Sequence, residues 1–153
     1  MEDASKVFAQ ATVQPIRAPS SKLLKLAWNC DGSKLAGGST AFNLRIWNIN
    51  NTGGGHHSDY YDLVDHKGFV DHVCWNPNDP NIIASSSNDK TIKLWDVRGK
   101  DSVIATVTMS SPGVALKWTD DGRYIATASE NNWISVIDYN MREIVKSKES
   151  DLM

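Results

Sequence analysis

Residues 66–98 read HKGFVDHVCWNPNDPNIIASSSNDKTIKLWDVR. Short apolar runs such as Ile92 and Leu94 alternate with polar residues at a period of two, and Asn-Asp and Pro clusters punctuate them. Alternation over a few residues, bounded by turn formers, is the signature of strands and not of helices. Two tryptophans, Trp75 and Trp95, stand 20 residues apart within this stretch. That spacing is the key to the rest of the chain.

Working outward, the same layout recurs on both sides. Trp28-Asn-Cys-Asp-Gly-Ser-Lys-Leu-Ala-Gly-Gly runs to Trp47, and Trp118-Thr-Asp-Asp-Gly-Arg-Tyr-Ile-Ala-Thr-Ala runs to Ile137. The inner distance is 19 residues in both, while 47 residues separate Trp28 from Trp75 and 43 separate Trp75 from Trp118. Constant inner spacing with variable outer spacing means a repeated hairpin core joined by loops that absorb insertions. Four strands per unit are predicted: 23–29, 33–38, 43–49 and 60–64; 70–76, 81–87, 91–97 and 102–108; 113–119, 123–128, 132–138 and 143–147. Asp31-Gly32 and Asp121-Gly122 suit tight turns with positive φ, and Pro77 and Pro80 fall between strands where no ladder donor is needed. Residues 1–22 are expected to be a polar tail with one stray strand around Val7 to Val13. Residues 23–148 are the three repeats, at about 23–64, 70–108 and 113–147, and 149–153 is a C-terminal tail. The stretch 48–58, rich in Asn and Gly, is expected to be a solvated insertion.

Composition narrows the function classes. Across 153 residues there are 18 acidic and 16 basic side chains, a formal charge of −2, so no global field draws the protein to nucleic acid or an anionic membrane. Apolar runs of four to six residues are far short of the roughly 20 that span a bilayer, so no membrane role is expected. Two cysteines, Cys30 and Cys74, are too few for a disulfide scaffold, and the N-terminus lacks the layout of a signal peptide, which together suggest an intracellular protein.

His66, the Ser85 strand, Asp89 and the Trp95-Asp96 pair resemble a WD repeat of the β-propeller class. Over about residues 20–148 the chain is similar to WD-repeat subunits of the THO type. The resemblance implies an all-β fold of four-stranded antiparallel propeller blades, about three of them, forming an incomplete propeller. It also implies that His66, Ser85, Asp89 and Trp95 form a hydrogen-bonded structural tetrad that pins a turn to its blade. Units one and three depart from the pattern: Ala41 and Asn131 stand where Asp89 stands in unit two, and neither unit has a matching histidine. A three-blade chain leaves two apolar faces open. The preferred expectation is that it covers the first part of a propeller. The rival is self-association of two chains through those faces into a six-blade ring.

For function, the resemblance implies a non-enzymatic scaffold in the nucleus. Its partners would be other protein subunits of a THO-like complex, with RNA reached indirectly through them. The alternative expectation is a WD-repeat adaptor of another multiprotein assembly, such as a ubiquitin ligase or a ribosome-biogenesis complex, or a weak direct RNA binder. No catalytic, cofactor or metal site is expected. His66, Ser85 and Asp89 carry the letters of a nucleophilic triad, but Ser85 lies inside a strand without a nucleophile elbow. His56, His57, His66 and His72 do not make the two close pairs of a closed zinc site. Cys30 and Cys74 are read as buried, inert thiols, and Gly53-Gly54-Gly55 as a linker that lacks the Lys-Ser or Lys-Thr of a phosphate-binding loop. Lys90, Lys93, Arg98 and Lys100 form a basic, solvent-facing group near core-facing Trp75 and Trp95. Trp133 adjoins a turn and is either an exposed partner anchor or a residue packed across a blade face.

Overall fold

The computed structural model describes residues 16, 19–49, 60–99 and 102–149, and every regular element among them is a strand. β1 (Leu23–Trp28), β2 (Lys34–Ser39), β3 (Asn43–Asn48) and β4 (Tyr60–Val64) form one sheet. β5 (Val70–Trp75), β6 (Ile82–Ser87), β7 (Thr91–Asp96) and β8 (Val103–Thr108) form the second. β9 (Gly113–Trp118), β10 (Tyr124–Ser129), β11 (Trp133–Asp138) and β12 (Glu143–Glu149) form the third. Each is an antiparallel meander with its strands in chain order. All twelve strands fall within two residues of the ranges read from the sequence. The expected strand at 7–13, and residues 50–59 of the insertion, lie outside the described residues.

The turns explain why the strands end where they do. Gly32 and Gly122 take φ of +71° and +69°, and Asp31 and Asp121 each accept a hydrogen bond from the amide two residues ahead, at 2.8 and 3.0 Å. The β2–β3, β6–β7 and β10–β11 hairpins turn through Phe42, Lys90 and Asn132, all with φ between 63° and 67°. Asparagine tolerates that region, whereas a bulky side chain there is strained and needs support from its surroundings. Phe42 has it: its ring lies 5.7 Å from that of Phe69, at the start of the next unit.

Register makes the three units superimposable. Ala36 faces Ile46, Ala84 faces Leu94, and Ala126 faces Val136. Pleating sends these pairs to one face of their sheets and Leu35 with Trp47, Ile83 with Trp95, and Ile125 with Ile137 to the other. The first sheet packs Ala36, Leu44 and Ile46 against Val73, Ile83 and Trp95 of the second. The second packs Ala84, Ile92 and Leu94 against Trp118, Ile125 and Ile137 of the third.

A polar interlock accompanies each apolar contact. The Trp75 indole donates to the Ala27 carbonyl at 3.0 Å, and the Trp118 indole to the Cys74 carbonyl at 3.1 Å. In the opposite sense, Asn29 donates to the Pro80 carbonyl and Asn76 to the Gly122 carbonyl, both at 3.1 Å. The tryptophan that ends β5 or β9 therefore reaches back to the preceding sheet, and the asparagine that follows β1 or β5 reaches forward to the next. Gly38 allows the first two sheets to approach this closely, because a Cβ there would lie 2.5 Å from the Val70 carbonyl oxygen.

One reading of the sequence is corrected by the fold. Cys30 is exposed rather than buried, because it sits in the β1–β2 turn beyond the last ladder pair; Cys74 is half-buried on the second sheet. Among the described residues no helix is long and apolar enough to cross a membrane.

Gly38→Ala is expected to cost about 1–3 kcal/mol through overpacking of the sheet interface. Gly99→Ala, where a Cβ would meet nothing within 4 Å, is the matched control. Urea unfolding midpoints should fall for the first and stay near wild type for the second.

Candidate functional site

The second unit carries a continuous buried hydrogen-bond chain. Trp95 Nε1 donates to Ser85 Oγ at 2.8 Å, and Ser85 Oγ lies 2.8 Å from His66 Nε2. His66 Nδ1 lies 2.9 Å from Asp89 Oδ2. Because Asp89 only accepts, Nδ1 carries the proton, Nε2 accepts from the Ser85 hydroxyl, and that hydroxyl accepts from the indole. Each group has one partner on each side.

Asp89 anchors the far end. Its Oδ2 also accepts from the Lys67 amide at 2.8 Å, and its Oδ1 from the Thr91 amide at 2.9 Å and the Thr91 hydroxyl at 2.6 Å. Burial alone would raise this carboxyl, but the bonds from Thr91, Lys67 and His66 outweigh it and hold the group well below the usual carboxylate range. The His66 imidazole is held below its ordinary value chiefly by burial, with Asp89 opposing. A neutral imidazole in this tautomer is what the hydrogen bonds require. Ser85 is completely buried and sits between two partners, so its hydroxyl is not presented to a substrate.

Units one and three show what the network replaces. Gly37 occupies the register position of Ser85, and the buried Trp47 indole N–H consequently has no acceptor. The turn is held instead by Ser39, whose Oγ lies 2.5 Å from Asn43 Oδ1 and accepts from the Ala41 amide at 3.1 Å. In unit three, Ser129 Oγ donates to Asn131 Oδ1 at 2.7 Å and Asn131 Nδ2 reaches Ser110 Oγ at 3.2 Å.

The basic group does not form one surface. Lys93 is only 6% exposed, which corrects its reading as solvent-facing: its Nζ lies 2.5 Å from Asp65 Oδ2 and 3.1 Å from Thr106 Oγ1. Asp65, the neighbour of His66, is held below its usual range by that hydrogen bond. Arg98 is exposed but bidentate on Asp96, at 2.8 and 2.5 Å. Lys90 is exposed at the turn before β7, while Arg98 lies beyond its far end, roughly 20 Å away for a six-residue strand. Lys100, His56 and His57 lie outside the described residues. Among those described, no cluster of three His, Cys, Asp or Glu is placed to hold a metal.

Trp133 remains 37% exposed, and it lines a cleft of about 370 Å³ with Met109, Ile144 and Asn131 at the junction of the second and third sheets. Sequence reasoning missed Asp65 and Thr91. Thr91 was findable, two residues beyond Asp89 as a turn-stabilising hydroxyl, but Asp65 pairs with Lys93 across 28 residues and leaves no local signal.

Comparison with known proteins places this geometry. A model described as WD domain, G-beta repeat matches residues 58–96 and 102–138. The chain is 30% identical over 138 residues to THO complex subunit 3 of Arabidopsis thaliana, covering 90% of this chain and 43% of that protein. It is 26% identical over 152 residues to WD repeat-containing protein AAC3 of Dictyostelium discoideum, covering 88% and 31%. It is 30% identical over 119 residues to the anaphase-promoting complex subunit cdc20 of the same organism, covering 77% and 22%. The chain thus spans less than half the length of these relatives. Among solved structures, a chain of a mitotic checkpoint complex superposes with a TM-score of 0.76 at 21% identity, covering 88% of this chain and 39% of that one, which shows the fold alone.

Ser85→Ala leaves the Trp95 indole and His66 Nε2 buried without partners, and should cost about 1–3 kcal/mol in urea unfolding. The network also sets a pH dependence. A histidine whose folded value is depressed favours folding above its unfolded value of about 6.5, and that stability is lost as pH falls below it. Wild type should lose stability on acidification from pH 7 to 5, and His66→Gln should show a shallower loss; His72, also depressed by burial, contributes equally to both. The Asp89 contribution has the same sign but is lost only at lower pH, below about 3.9.

Proposed function

This chain belongs to the WD domain, G-beta repeat family, and from that premise we propose that it is a non-enzymatic scaffold subunit of a nuclear assembly of the THO type. In this reading it helps couple transcription and mRNA processing to mRNA export by docking other protein subunits, and meets RNA only through them. The observation that carries the reading is the 30% identity to THO complex subunit 3, sustained over 138 residues across all three sheets.

The site supports it physically. Polar groups that could do chemistry in unit two are buried and mutually satisfied, so they stiffen a turn rather than present a reactive atom. Direct RNA reading would draw on a continuous basic stripe with exposed aromatics. Here Lys93 is engaged by Asp65, Arg98 by Asp96, and Trp75 and Trp95 are buried in sheet interfaces. Loops on a rigid body of sheets instead offer protein-docking surfaces. The similarity to cdc20 favours a second reading, an adaptor of another multiprotein assembly.

Affinity purification of the tagged chain from nuclear extract, with nuclease present, followed by mass spectrometry, is expected to recover THO subunits. A coherent set belonging to another complex would replace the first reading with the second. If recovery vanished whenever nuclease was added, RNA would be the tether and the docking role would fail.

A further inference from the structure

The seam between neighbouring sheets is filled in one place and open in the other. Between the first and second sheets, the two residues after β4 are Asp65 and His66, and they meet Thr91 and Lys93 on β7. His66 is buried, and Lys93 Nζ bonds both Asp65 and Thr106, so this end of the seam is occupied and its charges are paired. Between the second and third sheets the equivalent positions are Met109 and Ser110 after β8, and Trp133 and Ser135 on β11. The imidazole and the lysyl stem have no counterpart there, and the cleft of about 370 Å³ takes their place.

The lining of that cleft is neutral. Met109, Trp133 and Ile144 supply its apolar walls, and Ser135 and Ser147 meet within it, their hydroxyl oxygens 2.9 Å apart. Among the described residues no charged side chain lines it. Lys146 and Lys148 of β12 pair with Val136 and Ile134, and pleating turns them to the opposite face of the sheet. A charged occupant would lose its water there without gaining a partner, whereas an aliphatic or aromatic side chain would not.

Beside the cleft runs an open strand edge. β8 is the outermost strand of its sheet. The Met109 amide points inward to the Lys90 carbonyl at 2.8 Å, so by alternation the N–H and C=O groups of Thr108 and Thr106 point outward. Arg142, in the turn before β12, donates to the Ile104 carbonyl at 3.2 Å, which agrees with that alternation and covers the edge only at its start. Edge strands are commonly guarded by charge. β4 has Asp62, paired with Arg45, and β12 has Glu143, Lys146 and Lys148, but Val103–Thr108 carries no charged residue.

We propose that this edge and cleft together receive an extended, uncharged segment of a partner protein. The segment pairs through its backbone with Thr106 and Thr108 and seats one apolar side chain between Met109, Trp133 and Ile144. In strand addition of this kind, backbone pairing supplies affinity and the pocket supplies selectivity. In the scaffold reading, on which the choice of a protein occupant rests, this is where one partner is held.

Panning a phage-displayed library of random heptapeptides on the immobilised chain provides the test. The enriched family is expected to lack Asp, Glu, Lys and Arg and to carry Leu, Ile, Met or Phe at one fixed position. A synthetic peptide of that family should shift the Trp133 indole and residues 106–110 in NMR spectra. Its dissociation constant should rise at least about tenfold with Thr108→Pro, which removes an outward N–H at an edge position, and likewise with Ile144→Lys, which puts a charge into the cleft. Both side chains are exposed, and urea midpoints near wild type would show that both variants are folded. No enriched family, a family built on charged residues, or binding unmoved by either substitution overturns the proposal. So does pairing of β8 with a second copy, seen as a concentration-dependent dimer that Thr108→Pro abolishes. Recovery of THO subunits unchanged by both substitutions, with no peptide bound, removes this site and leaves the scaffold reading standing. Peptide binding without recovery of those subunits keeps the site and removes the THO reading.

Discussion

The structure depends on one contact made twice: an indole N–H at the end of a sheet's first strand, donated to a backbone carbonyl of the sheet before it. A four-stranded sheet with two apolar faces is not stable alone, and most of the stabilisation comes from covering those faces, at about 1.5–3 kcal/mol per large side chain. Apolar burial is non-directional and would tolerate slippage. The indole bond, reinforced in the other direction by Asn29 and Asn76, fixes where each sheet sits on the next. Gly38 and Gly122 belong to the same constraint, since a Cβ at either would strike the neighbouring unit.

Within that frame the three units share a topology but not a turn chemistry. Unit two satisfies its buried polar groups through Trp95, Ser85, His66 and Asp89. Unit one leaves the Trp47 indole unpaired, and unit three substitutes a Ser129–Asn131–Ser110 relay. A buried donor without an acceptor costs about 1–3 kcal/mol. The second unit is thus the best-determined part of the chain, with neighbours on both sides.

Much of this was legible in the residues because it is local. Strand limits follow from two-residue alternation and from Asp-Gly turns, and the 19- to 20-residue spacing between tryptophans marks one hairpin core. What was not legible depends on neighbours. Lys93 shares its strand face with Trp95, two residues on, so alternation turns it toward the sheet interface, where Asp65 and Thr106 receive its ammonium; a charged residue did not mean an exposed one. Cys30 looked like a small core residue until the ladder ended at Trp28. Trp28 and Trp75 stand in the same sequence context and have opposite exposures, because burial belongs to the sheet that arrives, not to the residue that waits for it.

Amide-type hydrogen exchange at the six indole N–H groups, followed by NMR in a dilute sample, addresses the interlock itself. The account predicts slow exchange at Trp75, Trp118 and Trp95, and fast exchange at Trp28. Trp75 and Trp118 exchanging as quickly as Trp28 would contradict it, because the indole-to-carbonyl bonds could not then be what seats one sheet on the next.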